Sequence, residues 1–208
     1  MNFKNLRLYS CSHGLVGEVG KGFANAGSFG QIIANHYKLT FINNSVPGAS
    51  NYYIFKKLYD DLDKITNEDL VFVQWSHTDR AWTHSEHTVM PHQKFKIAKL
   101  YYKNFYTELQ EANKVLGYNF MLNSLIKNFV FNFFDGESFF QTHSPNTFEL
   151  IHKLPNYLNV NSVMINEELY PHLFQCSHLN EKGHNILSKK YIDKLDTLYY
   201  NNNITTKE

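Results

Sequence analysis

Asp69-Leu70-Val71-Phe72-Val73-Gln74-Trp75 is the stretch on which the fold turns. A strand with one face in water alternates apolar and polar residues, whereas this run offers apolar side chains to both faces. β-Branched and aromatic residues dominate it, which favours extended backbone. The segment predicts an interior strand of a sheet that is covered on both sides.

The pattern on either side agrees. Upstream, residues 5–9 alternate and carry aliphatics, and residues 39–43 form a second strand candidate that ends in the turn Asn44-Ser45-Val46-Pro47-Gly48-Ala49-Ser50-Asn51. Between these strands, Ser28 stands where it can cap a helix running through Gln31 to His36. Over residues 53–65, Ile54, Leu58, Leu62 and Ile65 recur at helical spacing, with Asp60, Asp61, Asp63 and Lys64 on other faces. Downstream, residues 93–116 read as one long helix with Gly117 as its break and a resumption over 119–126. Residues 129–134 and 162–165 are further strand candidates, and 185–199 an amphipathic closing helix. Strands alternating with helices predict an α/β fold whose parallel sheet has helices on both faces. In such sheets the functional groups collect beyond the carboxyl ends of the strands, where Ser12, Gly48 and the loop opening at Ser76 all fall.

Bulk properties narrow the function. A chain of 208 residues with 43% hydrophobic and 19% charged content has enough apolar side chains for one sizeable core. One domain is expected over residues 1–200, followed by a polar tail over 201–208. A formal net charge of +1 gives no electrostatic case for nucleic acid or an anionic membrane as partner. The first residues lack an apolar core of signal-peptide length, and no apolar run approaches a membrane span. Cys11 and Cys176 cannot build a disulfide framework. A cytoplasmic protein is expected, of a cell or of a virus replicating in one; a homo-oligomer is compatible with all of this.

Two polar motifs carry chemistry. Ser10-Cys11-Ser12-His13 follows the first strand, and Ser177-His178-Leu179-Asn180-Glu181-Lys182-Gly183-His184 precedes the last helix. A serine hydroxyl is a weak nucleophile until a neighbouring imidazole takes its proton, so Ser12 and His178 make sense together if the fold unites them. His184 reads as a structural residue at the start of the last helix, and Asn180 as that helix's cap or a turn residue. The glycine-dense segment from Gly14 to Gly30 lacks a phosphate-binding motif and reads as an irregular loop over the site. His77, Asp79, His84, Glu86, His87 and His92 contain suitable metal donors, but no helical metal motif, and read as a solvated lid with no metal bound. Cys11 and Cys176 flank the proposed nucleophile and base and read as small buried apolar residues. Tyr52, Tyr53, Trp75 and Trp82 suit either sugar stacking or core packing.

Tyr9 to Gly14, Asn44 to Asn51, Val71 to Ser76 and His178 to His184 follow one another as the blocks of the SGNH (GDSL-type) hydrolases do, and the chain resembles that family over almost its whole length. The resemblance implies a three-layer α/β/α sandwich with a central, flavodoxin-like parallel sheet of about five strands. It implies an esterase without metal or organic cofactor, acting on a small-molecule or carbohydrate ester such as an O-acetyl group. By position, Ser12 matches the nucleophile, His178 the general base, and Gly48 an oxyanion donor through its backbone N–H, beside the N–H of Ser12.

The departures matter. The acid expected three residues before His178 is Gln175, which can orient an imidazole but brings no charge to a protonated one. The asparagine of the third block is absent from Gln74-Trp75-Ser76-His77, where Ser76 is the favoured replacement donor. His13, Trp75, His77 and Arg80 are substrate-binding candidates, Arg80 either holding an anion or bracing its loop. A catalytically degenerate glycan-binding module and an acyltransferase on the same machinery are the alternatives.

Overall fold

The computed structural model describes residues 3–18, 22–77, 80–82, 88–89, 96–134, 140–141, 145–160, 168–172 and 178–199. Its elements in chain order begin with β1 (Asn5–Tyr9), a short hairpin of β2 (Val16–Glu18) and β3 (Gly22–Ala24), α1 (Phe29–Tyr37), β4 (Thr40–Asn43) and α2 (Asn51–Asp60). They continue with β5 (Asp69–Trp75), a small hairpin of β6 (Ala81–Trp82) and β7 (Thr88–Val89), α3 (Lys96–Asn104) and α4 (Glu108–Leu125). The last are β8 (Phe129–Phe133), α5 (Pro145–His152) and α6 (Glu181–Tyr199).

Four of the strands form one parallel sheet in the order β4-β1-β5-β8. All seven residues of β5 are buried, as its two-faced apolar run requires. Successive side chains point to opposite faces. Val71, Val73 and Trp75 accordingly join Ile54 and Leu58 of α2 and Ala112, Val115 and Leu122 of α4 in one core. Leu70 and Phe72 join Phe29 and Ile33 of α1 and Leu187, Tyr191 and Leu195 of α6 in the other. This is a three-layer α/β/α sandwich. Each fully buried Leu or Phe contributes roughly 1.5–3 kcal/mol.

About five strands were expected, and four pair in the central sheet among the described residues. A single parallel bridge between Phe131 and Tyr157 lies on the free edge of β8. The strand expected at 162–165 lies outside the described residues.

Two other expectations change. The long helix of 93–116 is broken at Thr107, not at Gly117. Thr107 leaves the helical region and its hydroxyl accepts from the Gln110 N–H, starting α4 afresh. Thr-x-x-Gln is a capping-box pattern, and it outweighs the roughly 1 kcal/mol cost of Gly117 inside α4. The glycine-dense segment is not simply irregular, since β2 and β3 pair antiparallel within it. Gly17 makes this possible: it adopts φ +153°, and a Cβ there would lie 2.2 Å from the Gly22 carbonyl oxygen.

Candidate active site

Register fixes where the site is. Tyr9 pairs with Val73, and Trp75 with Phe133, so the chain leaves β1, β5 and β8 along one edge of the sheet. Directly after β1 the backbone closes a 3-10 turn over Ser12–Gly14, in which Leu15 N–H bonds the Ser12 carbonyl at 3.1 Å. Helix α6 delivers the second group. It packs along α1, where the Tyr37 hydroxyl donates to Asp196 at 2.8 Å and Phe29 lies 5.3 Å from Tyr191. Asn180 caps it by accepting from the Gly183 N–H at 2.9 Å, which leaves His178 just ahead of its first turn.

There Ser12 Oγ and His178 Nε2 stand 2.7 Å apart, across a sequence separation of 166. Both residues are buried, at 3% and 4% exposure. A hydroxyl donating to Nε2 leaves the ring proton on Nδ1, the tautomer that a general base for Ser12 needs.

The candidate oxyanion donors come from three separate segments, at Ser12, Gly48 and Ser76. Pro47 and Gly48 occupy the central positions of a turn closed by Ala49 N–H to the Val46 carbonyl at 3.0 Å. Gly48 has φ +77°, the value a type II turn needs at its third residue. The N–H groups of Ser12 and Gly48 have no hydrogen-bond partner among the described residues. Ser76 is different. Its N–H donates to Asn51 Oδ1 at 2.7 Å, and only its buried hydroxyl lacks a partner. Any donor role for Ser76 therefore belongs to its side chain.

Among the substrate-binding candidates, His13 is enclosed by other rings. It is 4% exposed, with Phe134 stacked on one face at 3.4 Å and His178 on the other at 4.6 Å. Burial holds its pKa well below the usual imidazole range, and the nearby charges of His77, His178, Arg80 and His184 push the same way. Trp75 is a core residue with no exposure, its Nε1–H donating to Asn119 Oδ1 at 2.9 Å. His77 meets His13 and Phe134 edge-on at 5.4 and 5.3 Å. Arg80 Nη1 reaches the Ala49 carbonyl at 3.5 Å, which ties the loop after β5 to the Gly48 turn. Gln175 and Cys176 lie outside the described residues, as do Asp79, His84, Glu86, His87 and His92 of the metal-like group. Among the described residues no three His, Cys, Asp or Glu side chains converge on a metal-binding point. Cys11 is a buried free thiol.

Several supporting residues were not singled out from the sequence. Asn51 holds the backbone of Ser76 and His77. Gln74 accepts from the Ser10 hydroxyl at 3.1 Å and donates to Tyr191 at 3.2 Å. Tyr191 in turn donates to Asn132 Oδ1 at 2.7 Å, and Asn132 donates to the Leu158 carbonyl at 2.7 Å. This buried chain begins two residues before Ser12. Lone amides inside apolar strands, Gln74 and Asn132, were its visible signal, because buried amides must find partners. His184, read from the sequence as a structural residue, accepts from the Phe29 N–H at Nδ1 (3.2 Å), which puts its proton on Nε2 for the Leu15 carbonyl at 3.1 Å.

No protein-family model matches the chain, and no curated protein matches it in sequence. Solved structures do. A lipase/acylhydrolase from Enterococcus faecalis superposes with a TM-score of 0.56 at 11% identity, covering 94% of this chain and 96% of that one. A putative lipolytic protein of the G-D-S-L family from Desulfitobacterium hafniense gives 0.54 at 11% identity, over 92% and 99%. An acetyl xylan esterase from the rumen bacterium Butyrivibrio proteoclasticus gives 0.57 at 10% identity, over 95% of this chain and 64% of that one. Sheet order, helical layers and these likenesses agree: this chain has the fold of the SGNH (GDSL-type) hydrolases, in a divergent form.

Proposed function

We propose that the protein is a serine esterase that hydrolyses an O-acyl ester, with an O-acetyl group on a carbohydrate as the substrate class. The 2.7 Å pairing of Ser12 Oγ with His178 Nε2 carries the reading. Ser12 Oγ attacks the acyl carbonyl while its proton passes to His178 Nε2. The carbonyl oxygen becomes an oxyanion facing the N–H groups of Ser12 and Gly48 and the Ser76 hydroxyl. Collapse breaks the bond to the alcohol, which leaves with the proton from His178. Water, deprotonated by His178, then attacks the acyl-Ser12 ester, and collapse of that intermediate releases the acid and restores the serine. The fold likeness to lipases, esterases and an acetyl xylan esterase supports the class of reaction.

The test is labelling by a fluorophosphonate together with hydrolysis of a chromogenic acetyl ester. Labelling at Ser12 and loss of both signals in Ser12→Ala are expected. Esterase activity that survives Ser12→Ala overturns the assignment.

A second reading is a glycan-binding module with a disused site. The amide at Gln175, where the resemblance calls for an acid, favours it. Glycan binding without turnover, indifferent to Ser12→Ala, identifies this case.

A further inference from the structure

We infer that His13 and Phe23 form an aromatic sleeve that stabilises the protonated form of His178, so that His13 is a positioning residue for the base and not part of a substrate cleft. The inference rests on the assignment of His178 as the base of Ser12.

The geometry is specific. The His13 ring lies 4.6 Å from that of His178, the two planes 23° apart. Phe23, on strand β3 of the hairpin, lies 5.2 Å from His178 with a 50° tilt. Behind His13, Phe134 stacks at 3.4 Å and 11°, which prevents the ring from retreating. Both His13 nitrogens are buried and have no hydrogen-bond partner among the described residues. A histidine that neither hydrogen-bonds nor faces solvent contributes mainly through its ring faces, and one of those faces covers His178.

Such a surface serves the chemistry. When His178 takes the Ser12 proton it becomes a cation in a buried place, where charge is costly. The position that would bring a carboxylate in the resembling family is Gln175. The π-face of an aromatic ring attracts a cation within about 6 Å. A stack of two imidazoles serves only while one stays neutral, and His13 does: burial lowers its pKa first, and His77, His178, Arg80 and His184 around it lower it further. Glycines on the hairpin, including Gly17 at φ +153° and Gly22 at φ +99°, allow the close strand pairing that presents Phe23.

The sleeve has a signature that mere filling of space lacks. Removing a π-face destabilises the imidazolium of His178 and lowers its pKa. His13→Leu removes the face, His13→Phe keeps one, and Phe23→Leu removes the second face from the short hairpin instead of the turn at the nucleophile. Two readouts apply: the His178 pKa from NMR titration of the ring protons, and the pH dependence of Ser12 labelling by a fluorophosphonate. His13→Leu and Phe23→Leu should each lower the His178 pKa and slow labelling at neutral pH by about 2- to 30-fold. His13→Phe should keep both near wild type.

An unchanged His178 pKa in both leucine variants overturns the sleeve, as does a His13→Phe variant that behaves like His13→Leu, since the nitrogens and not the ring face would then matter. Should His13→Leu fail to fold, Phe23→Leu alone decides by the same criterion. The NMR titration needs no turnover. A protein that never labels at Ser12 fails as an esterase and still reports on the stack.

Discussion

Asn51 grips Ser76 at both ends of its backbone, accepting from its N–H at 2.7 Å and donating to its carbonyl at 3.2 Å. The same amide group also reaches the His77 carbonyl at 3.3 Å. One side chain at the start of α2 thereby fixes the loop that leaves β5. Asn51→Ala leaves buried backbone groups without partners and should cost about 1–3 kcal/mol. Urea unfolding measures this, and Asn51→Asp should not recover it, because a carboxylate oxygen would then face the Ser76 and His77 carbonyls. An Asn51→Ala variant as stable as wild type would show that the grip contributes nothing.

Gly48 supplies a second test. Its φ of +77° is costly for any residue with a Cβ, although open space surrounds the position where that atom would lie. Gly48→Ala should therefore lose about 1–2 kcal/mol from backbone strain alone. If its N–H also holds the oxyanion, relaxation of the turn should lower the acetyl-ester rate as well, by up to roughly a hundredfold. A stability loss with an unchanged rate removes Gly48 from the oxyanion hole.

The acid position can be restored. In serine proteases the exchange of the triad carboxylate for its amide lowers kcat about ten-thousandfold. Gln175→Asp should therefore raise the rate of Ser12 labelling at least about tenfold and move its acid limb to higher pH. No gain would mean that position 175 does not govern the base.

Stability should fall in acid, and His184 gives part of the slope. Burial lowers its pKa to about 4; its bond to the Leu15 carbonyl acts in the opposite sense, and the charge of His178 lowers it again. The unfolded chain takes up this proton near pH 6.5, while the folded chain refuses it until about pH 4. The contribution is complete above pH 6.5, falls as pH drops, and is gone below about pH 4, for a total of about 3 kcal/mol. Urea unfolding at pH 7 and pH 4.5 should show a clearly smaller difference in His184→Gln than in wild type. A difference of the same size in both would place the acid sensitivity elsewhere, His13 being the next residue to examine.

Most of the fold was legible because the strands state both of their faces. The Asp69 to Trp75 run coincides with β5, and Asn5 to Tyr9 with β1, since an apolar run of that length has few other homes. The helix caps at Ser28 and Asn180 were also legible, as each is a local event between neighbours. What escaped was decided against competition or at a distance. Thr107 broke a helical periodicity that, by pattern alone, should have run on to Gly117. The glycine-dense stretch hid a hairpin because its pairing depends on the approach of two backbones, not on side chains. In the candidate site, Ser12 and His178 were visible as chemistry, but the surroundings of His13 were not. From the sequence it was a substrate-binding candidate beside Ser12, and only the three-dimensional placement of Phe134 and His178 shows the rings stacked on it. Asn51 escaped for a similar reason, since its partners lie 25 and 26 positions away.

His184 joins the turn after Ser12, through the Leu15 carbonyl, to the first N–H of α1, and it does so from the last helix. In a chain made from its N-terminus, Ser12 emerges early and waits for a partner that emerges late. If Ser12 is the nucleophile proposed above, a nascent chain that has exposed it but not yet docked α6 holds an ordinary hydroxyl, harmless to any ester it meets. Labelling of Ser12 is then a timer for synthesis as well as a mark of chemistry: on ribosome-bound chains arrested at successive lengths, it should switch on only once the closing helix has left the exit tunnel.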